Sequence, residues 1–444
     1  MSTINISTQQ AFSDLNKIQR DAGTPFSVYG PVAPFLLLCV LKVAIGRKIG
    51  AADHLDEFLN VSNGLNMPVP VLHGSDVETI LDAVCDVAGD RSGALRNFFK
   101  TTIYAFDDLS AKGVKSSVNY GVFLNSIDLN DSEAIFQKAI ELAVDFSFGR
   151  IRITNPSLAR LARNILNVKS GETFSDFVCG VGLSSSVILG NTSNVETYLS
   201  DADIDAFACA SVGCFLQNRE NRGKNYDSLG DNFNDIVKSD KIFIDPPLRM
   251  RMDKPFEFNG VPIKESSCAA VVKAACSLKE NGIAVICINS GFTYGTQFSM
   301  DSIRKYLIDN CLLKAVISLP NMWSGGGVLS SILILSNDNN TEVKMVDVSR
   351  KGNDSSLFIY DRSYQCLSFT EAGLAYVSDL VNSDTPFPGV SAIVSYRDVE
   401  EKQYSIMPSL FIEEEKTATK TVAEIDADIK DVLDDIQSLM RELG

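Results

Sequence analysis

From about residue 150 onward, the sequence alternates short apolar runs with stretches of helical spacing. Helical spacing recurs, for example, over Ala206–Leu216 and Ala269–Lys279. The apolar runs that we expect to be strands are Phe174–Val178, Val195–Ser200, Lys241–Ile244, Ile283–Asn289, Leu313–Leu319 and Ser330–Leu335. Strands that alternate with helices form a mainly parallel sheet with helices on both faces. We therefore expect an α/β domain over residues 146–345, with the last two strands as an antiparallel pair at one edge of its sheet.

The chain outside this domain falls into three parts. Residues 1–145 repeat apolar side chains at helical spacing and are expected to form a mainly helical domain. Residues 346–412 mix both patterns and are expected to form an extension. Residues 413–444 contain a heptad pattern at Val422, Ile425, Ile429, Val432, Ile436, Leu439 and Leu443. Such a seam is typical of a helix that docks on a partner protein; the alternative is a helix that folds back on its own domain.

The overall charge restricts how this chain could bind nucleic acid. Its net charge is −16 and its pI is near 4.7. Proteins that bind phosphate backbones usually present clustered Lys and Arg instead. Either the target is not nucleic acid, or a partner supplies the basic surface, or the acidity serves only solubility.

The N-terminus, the apolar runs and the cysteines indicate a cytoplasmic protein without a metal site. The N-terminal residues lack the basic and apolar segments of a signal peptide. The most apolar run, Pro34–Leu41, is far shorter than the ~20 residues of a membrane helix, so we expect a buried helix there. The ten cysteines form no C-x-x-C pair and no cluster with a histidine. This pattern disfavours zinc binding and favours reduced core cysteines.

A glycine turn follows the first expected strand and precedes an expected helix at Ser184–Leu189. The segment reads Asp176-Phe-Val-Cys179-Gly180-Val-Gly182. A Gly-x-Gly turn lets the backbone approach a ligand, and open parallel sheets bind ligands at the carboxyl ends of their strands. The turn alone is a weak signal, because Ser185 stands where a dinucleotide-binding motif has its third glycine.

Acidic residues lie between the second and the third expected strand. Asp201 ends the second expected strand about 20 residues past the glycines, a position suited to accept hydrogen bonds from ribose hydroxyls. Asp203 and Asp205 are expected to cap the following helix instead. Asp227 lies in a loop before a strand, where it would flank the adenine ring of a cofactor; a plain surface turn is the alternative.

The most specific motif is Asp245-Pro246-Pro247-Leu248, directly after the strand that ends at Ile244. Two prolines after a strand make a rigid bend and fix the direction of the carbonyl groups. The side chain of Asp245 and the carbonyl of Pro246 could both accept hydrogen bonds from an exocyclic amino group. Such a site would catalyse methyl transfer mainly by orientation. A purely structural Asp-Pro-Pro turn is the alternative.

Together these motifs resemble the modification subunits of type I restriction–modification systems, which are N6-adenine DNA methyltransferases. The family pattern D-x-x-C-G-x-G matches Asp176 to Gly182, and the Asp-Pro-Pro element matches as well. An upstream Thr-Pro element resembles Thr154-Asn-Pro156. Similar stretches continue over residues 302–320, 325–335 and 399–411. The resemblance covers residues 150–440 well and the first 145 residues only loosely.

The resemblance implies a Rossmann-like domain that binds S-adenosylmethionine through Asp176, Cys179, Gly180, Gly182, Asp201 and Asp227. Methyl transfer to the N6 of adenine would then use Asp245, Pro246, Pro247 and Leu248. In this family a separate specificity subunit reads the DNA sequence, and residues 422–443 would dock on that subunit. The acidic charge of this chain fits such a division, because the specificity subunit would supply the contacts to DNA. The family also allows a nuclease subunit as a partner.

Two departures from the family pattern support a different hypothesis. Leu248 replaces the usual aromatic residue, which would stack on the flipped base, and Phe256 and Phe258 are candidates to substitute for it. Leu183-Ser184 replaces the usual small residues after the glycine turn. The alternative is therefore a catalytically degenerate scaffold or regulatory subunit. A third hypothesis is a methyltransferase for RNA or protein amide nitrogen.

Overall fold

An eight-stranded sheet forms the centre of the computed structural model, which describes residues 32–50, 74–90, 93–100, 132–146, 153–230, 233–247, 250–323, 330–362 and 364–413. The strands in chain order are β1 (Thr173–Asp176), β2 (Glu196–Leu199), β3 (Ser239–Ile244), β4 (Arg251–Phe258), β5 (Val261–Glu265), β6 (Leu278–Asn289), β7 (Leu313–Leu319), β8 (Ser330–Ser336), β9 (Glu342–Asp347), β10 (Phe358–Asp361), β11 (Cys366–Phe369) and β12 (Ser391–Ser395). β4–β5 and β10–β11 are separate hairpins. All six strands expected from the sequence are present.

The strand order in the sheet is β12-β9-β7-β8-β6-β3-β1-β2. The neighbours β2, β1, β3 and β6 are parallel, and β8 runs antiparallel to both β6 and β7. The antiparallel pairing of β7 and β8 was expected, but its place at a sheet edge is wrong. β9 and β12 extend the sheet beyond β7, because Val343, Met345 and Val346 bury an apolar face there. The α/β fold class is confirmed.

Helices cover the sheet on both faces. The α-helices of the described residues, in chain order, are α1 (Val32–Gly46), α2 (Gly74–Ala88), α3 (Ser132–Phe146), α4 (Pro156–Leu166), α5 (Leu183–Leu189), α6 (Ile204–Leu216), α7 (Ser266–Ser277), α8 (Gly291–Tyr294), α9 (Phe298–Asp309), α10 (Glu371–Asn382) and α11 (Tyr396–Glu401). Side-chain caps mark the starts of α4 and α6. Asn155 caps α4, whose first residue is a proline, and the Asp203 carboxylate accepts from the backbone N–H groups of Asp205 and Ala206 at the start of α6. The expected capping role of Asp203 is confirmed.

The described N-terminal helices pack against the sheet layer through α6. α1, α2 and α3 all contact α6, and every α6 residue from Ala206 to Leu216 is buried. The expected buried helix over Pro34–Leu41 lies in α1, where Phe35 and Leu36–Leu38 are at most 1% exposed. No helix among the described residues is long and apolar enough to cross a membrane.

The later part of the chain belongs to the same sheet. β9 crosses the expected domain boundary at residue 345, and β12 pairs with it. The part of the chain that was expected to be an extension therefore contributes strands to the central sheet. The segment near residue 404 is attached to the body through Arg304, whose guanidinium donates to the carbonyls of Phe292, Gly295 and Tyr404. The heptad helix expected at residues 422–443 lies outside the described residues.

Candidate active site

The expected site residues meet at one edge of the sheet. β2, β1 and β3 are parallel neighbours, so their carboxyl ends lie side by side, about 4.8 Å apart from strand to strand. The glycine turn follows β1, Asp201 follows β2, and Asp245 follows β3. β1, between the other two, therefore places the glycine turn between the two acidic residues.

The glycine turn depends on backbone conformations that side chains disfavour. Gly180 and Gly182 have φ values of +52° and +82°. A Cβ at Gly182 would lie 2.7 Å from the Cα of Ala210 in α6, so α6 packs directly against this residue. A Cβ at Gly180 would have no atom within 4 Å. The backbone of Gly180 thus faces open space where a ligand can approach it.

Asp201 is hydrogen bonded to the glycine turn. Its Oδ2 accepts from the backbone N–H of Gly180 at 2.8 Å, and its Oδ1 accepts from the N–H of Asp203 at 2.9 Å. Burial raises the pKa of the Asp201 carboxyl, while these backbone donors lower it. An ionised carboxylate has about four acceptor positions, so two backbone donors leave capacity for a ligand hydroxyl.

Asp176 and Cys179 lie beneath the turn rather than on its open side. Asp176 is 1% exposed and accepts from the Ser185 hydroxyl at 2.7 Å and from the Val178 N–H at 3.2 Å. Burial raises its pKa to about 7. Burial also raises the pKa of the Cys179 thiol well above its usual value. The structure gives both residues a clear part in shaping the turn; their contact with a cofactor stays a prediction.

The loop that contains Asp227 is fastened to the other two loops. Tyr226 N–H donates to the carbonyl of Asp201 at 2.9 Å, and the Ser228 hydroxyl donates to the carbonyl of Phe177. Asp227 itself is exposed, and its Oδ1 accepts from the N–H groups of Leu229 and Gly230. The side chain therefore stabilises a turn at the rim of the site, and its position beside an adenine ring stays a prediction.

Asp245 is the acceptor at the centre of the candidate site. Its Oδ2 accepts from the Thr154 hydroxyl at 2.6 Å, and its Oδ1 accepts from the Trp323 indole N–H at 3.3 Å. Burial raises the pKa of this carboxyl, and the donors Thr154, Trp323 and Cys287 oppose that rise. Three segments of the chain thus supply donors to one carboxylate, and these donors offset part of the effect of burial on its pKa.

The Pro-Pro loop is held from the side of α7. The Ser266 hydroxyl donates to the carbonyl of Pro247 at 2.6 Å, while Pro246 is buried and Pro247 is exposed. Leu248 lies outside the described residues. The Ser266 contact therefore fixes the direction of the Pro247 carbonyl.

Trp323 is the site residue that sequence reasoning missed. The chain contains one tryptophan, which lies shortly after β7 and so at the same sheet edge as Asp245. The candidates Phe256 and Phe258 are engaged elsewhere: Phe256 stacks on Phe233 with ring centroids 4.0 Å apart, and Phe258 meets Tyr306 edge-on at 5.1 Å. Strand alternation in β4 directs both rings into the apolar cluster beside α7 and α9. Of these aromatic residues, only Trp323 contacts Asp245.

A family model described as N-6 DNA Methylase matches residues 153–420, more than half of the chain. The chain belongs to the N-6 DNA methylase family. It is accordingly a DNA adenine methyltransferase, as the motifs indicated, and the resemblance inferred from the sequence is confirmed.

Solved structures share the fold. The methyltransferase subunit of a type I restriction-modification system from Streptococcus thermophilus is 14% identical, with a TM-score of 0.63 over 92% of this chain and 100% of that chain. A chain from a solved structure that concerns complex assembly and conformational transition of the type I R-M system is 12% identical, with a TM-score of 0.58 over 100% of this chain and 98% of that chain. At these identities the likeness concerns the fold, including its N-terminal helices.

Proposed function

We propose that this chain uses S-adenosylmethionine as its methyl donor and acts as the modification subunit of a type I restriction–modification-like complex. The observation that carries the proposal is the position of two acceptors at the carboxyl ends of β2 and β3, the two strands that flank β1. Asp201 accepts from the N–H of Gly180 in the turn after β1, and Asp245 follows β3 on the other side of β1. A cofactor over the turn would therefore lie next to an amino group on Asp245.

The cofactor side of the site fits the proposed donor. The open space over Gly180 admits a ligand against the backbone, and the Asp201 carboxylate is placed to accept from ribose hydroxyls. S-adenosylmethionine supplies an electrophilic methyl group when bound. Asp176, Cys179 and Asp227 would maintain the shape of this pocket through the contacts described above.

The amine side of the site works by orientation. Asp245 accepts one N–H of the target amino group, and the carbonyl of Pro246 is proposed to accept the other. Both hydrogen bonds direct the nitrogen lone pair toward the methyl donor, and correct placement of reacting groups accounts for much of such a rate enhancement. Thr154 and Trp323 fix the carboxylate so that its remaining acceptor capacity faces the substrate.

The proposed partners follow from charge and from the solved relatives. A chain of net charge −16 is poorly suited to bind DNA alone. Both relatives above belong to type I restriction-modification systems. We therefore propose that a specificity subunit carries the DNA contacts that read sequence, that residues 422–443 dock on it, and that a nuclease subunit joins the same complex.

Replacing Asp245 tests the proposal. Asp245→Ala should abolish DNA methylation by the purified complex and leave the affinity for S-adenosylmethionine within about twofold, because Asp245 orients only the amine. Asp240→Ala is the matched control: it lies on the same strand at the opposite sheet edge, where it pairs with Lys279. Equal loss of methylation and cofactor binding in Asp245→Ala contradicts the assigned role.

The scaffold hypothesis makes the opposite prediction for the unmodified complex. Its motivation was Leu248, and none of the described residues adds support to it, because Asp245 keeps its donors and Trp323 offers an aromatic ring beside it. A complex that binds S-adenosylmethionine but transfers no tritiated methyl group to unmethylated DNA containing the target would favour the scaffold.

A further inference from the structure

Asn155 is a buried side chain that joins three separate segments. It is 4% exposed, and its Oδ1 accepts from the backbone N–H and the hydroxyl of Ser157 at the start of α4. Its Nδ2 donates across to β11, to the Leu367 carbonyl at 2.8 Å and the Ser368 hydroxyl at 3.1 Å. The same nitrogen lies 3.4 Å from the carbonyl of Met322 in the loop after β7.

The residues next to these contacts are the two donors to Asp245. Thr154 directly precedes Asn155, and Trp323 directly follows Met322. Thr154 donates to one oxygen of Asp245 and Trp323 to the other. The loop that carries Trp323 is further tied to β11, because the Leu367 N–H donates to the Asn321 carbonyl at 3.0 Å. One amide group thus fixes both segments that hold the acceptor.

We infer that Asn155 is a positioning residue for methyl transfer, whose side-chain amide clamps the Thr154 and Trp323 segments so that both donors stay on Asp245. The inference rests on the proposed role of Asp245 in orienting the target amine. Asn155 contacts neither substrate nor cofactor in this scheme. It acts on the geometry of the acceptor.

The two polar atoms of the Asn155 amide make different contacts, so substitutions can test the structural role and the positioning role separately. Oδ1 caps α4, a task that serine performs about as well as asparagine. Nδ2 makes the clamp, which serine is too short to form. Asn155→Ser therefore keeps the cap and removes the clamp, whereas Asn155→Asp keeps the cap and presents an acceptor to the Leu367 carbonyl.

The test measures turnover and cofactor affinity in the full complex, and tryptophan emission in the purified full-length chain. For Asn155→Ser we expect kcat for DNA methylation to fall by about 10- to 100-fold, because small misplacements of reacting groups have effects of this size. Cofactor affinity should stay within about twofold. Asn155→Asp should be at least as damaging. Ser395→Ala is the control, since it removes a helix cap from α11 at the opposite sheet edge and should leave kcat unchanged.

The pH profile of kcat supplies a readout that a loss of stability alone would not move. Thr154 and Trp323 lower the pKa of Asp245, so weakening both contacts raises that pKa and moves the acidic limb of the profile to higher pH. Asp176 and Cys287 are the titratable groups that face Asp245 from β1 and β6, and Asn155→Ser leaves both in place. An unshifted limb contradicts the inference.

Fluorescence separates failure of this inference from failure of the proposed function. Trp323 is the only tryptophan, so its emission reports on this loop without any substrate. In Asn155→Ser the emission maximum should shift to longer wavelength as water reaches the indole. Unchanged emission and unchanged kcat overturn the clamp while the proposed function stands. Absent methylation by the unsubstituted complex overturns the proposed function, and a shifted emission would still support the clamp.

Discussion

The two glycines of the turn after β1 should respond differently to the same substitution. Both have positive φ, so alanine at either position costs about 1–2 kcal/mol in backbone strain. At Gly182 the added methyl group would also lie 2.7 Å from the Ala210 Cα, and overpacking of this kind adds about 1–3 kcal/mol. We expect a loss of about 2–5 kcal/mol in unfolding free energy for Gly182→Ala and about 1–2 kcal/mol for Gly180→Ala.

In the folded proteins, Gly180→Ala should weaken cofactor binding more than Gly182→Ala does. The methyl group of Gly180→Ala enters the open space beside Asp201 where the ligand is proposed to lie. We expect the dissociation constant for S-adenosylmethionine to rise at least about tenfold, equivalent to about 1.4 kcal/mol. Thermal denaturation followed by circular dichroism measures the first effect, and calorimetric titration of each folded variant measures the second.

Two results would refute this reasoning. Unchanged cofactor affinity in Gly180→Ala would mean that the ligand does not approach the turn at this residue, and the site would have to lie elsewhere. Equal stability of the two variants would mean that α6 does not pack on Gly182 as closely as the structure shows.

Three further substitutions test other parts of the site and fold. Asp201→Ala removes the acceptor of the Gly180 N–H, and we expect calorimetry to show about 10- to 100-fold weaker cofactor binding; an unchanged affinity contradicts the ribose role. Asp176 has its pKa raised to about 7, so its stabilising contribution is full below about pH 4 and is lost as pH rises to 7. The melting temperature of Asp176→Asn should therefore rise relative to the unsubstituted protein between pH 5 and pH 8, and a constant difference would contradict this sign. Arg304→Met removes the donors to the buried carbonyl of Phe292, at about 1–3 kcal/mol, and to the partly buried carbonyls of Gly295 and Tyr404. Its unfolding midpoint in urea should therefore fall clearly, and Arg304→Lys should not restore it.

Local patterns in the sequence predicted the parts of the site that depend on neighbouring residues. The bounds of β7 agree with the apolar run Leu313–Leu319, and Asp203 caps α6 as its position before the helix indicated. Both features arise from contacts within a few residues, so alternation and capping rules describe them. The placement of Asp201 and Asp245 at the carboxyl ends of their strands also followed, because each directly follows an apolar run.

Long-range contacts explain what the sequence did not predict. Trp323 donates to Asp245 although 78 positions separate them in the sequence, and Asn155 donates to Leu367 over a separation of 212. No periodic pattern links residues at such separations. β7 lies inside the sheet only because β9 and β12 come later in the chain and pair beyond it. Their short runs carry too few apolar residues to indicate which strand they will join.

The burial of α6 between the sheet and the N-terminal helices has a consequence during synthesis. α1, α2 and α3 leave the ribosome before α6 exists, yet it is α6 that they contact. About 60 residues separate the end of α3 from the start of α6, so at ~5–20 residues per second the apolar face of α3 is exposed for roughly 3–12 s before α6 is made, and those of α1 and α2 are exposed for longer. Slower translation through residues 147–203 would lengthen this exposure, and chaperone demand should rise with it.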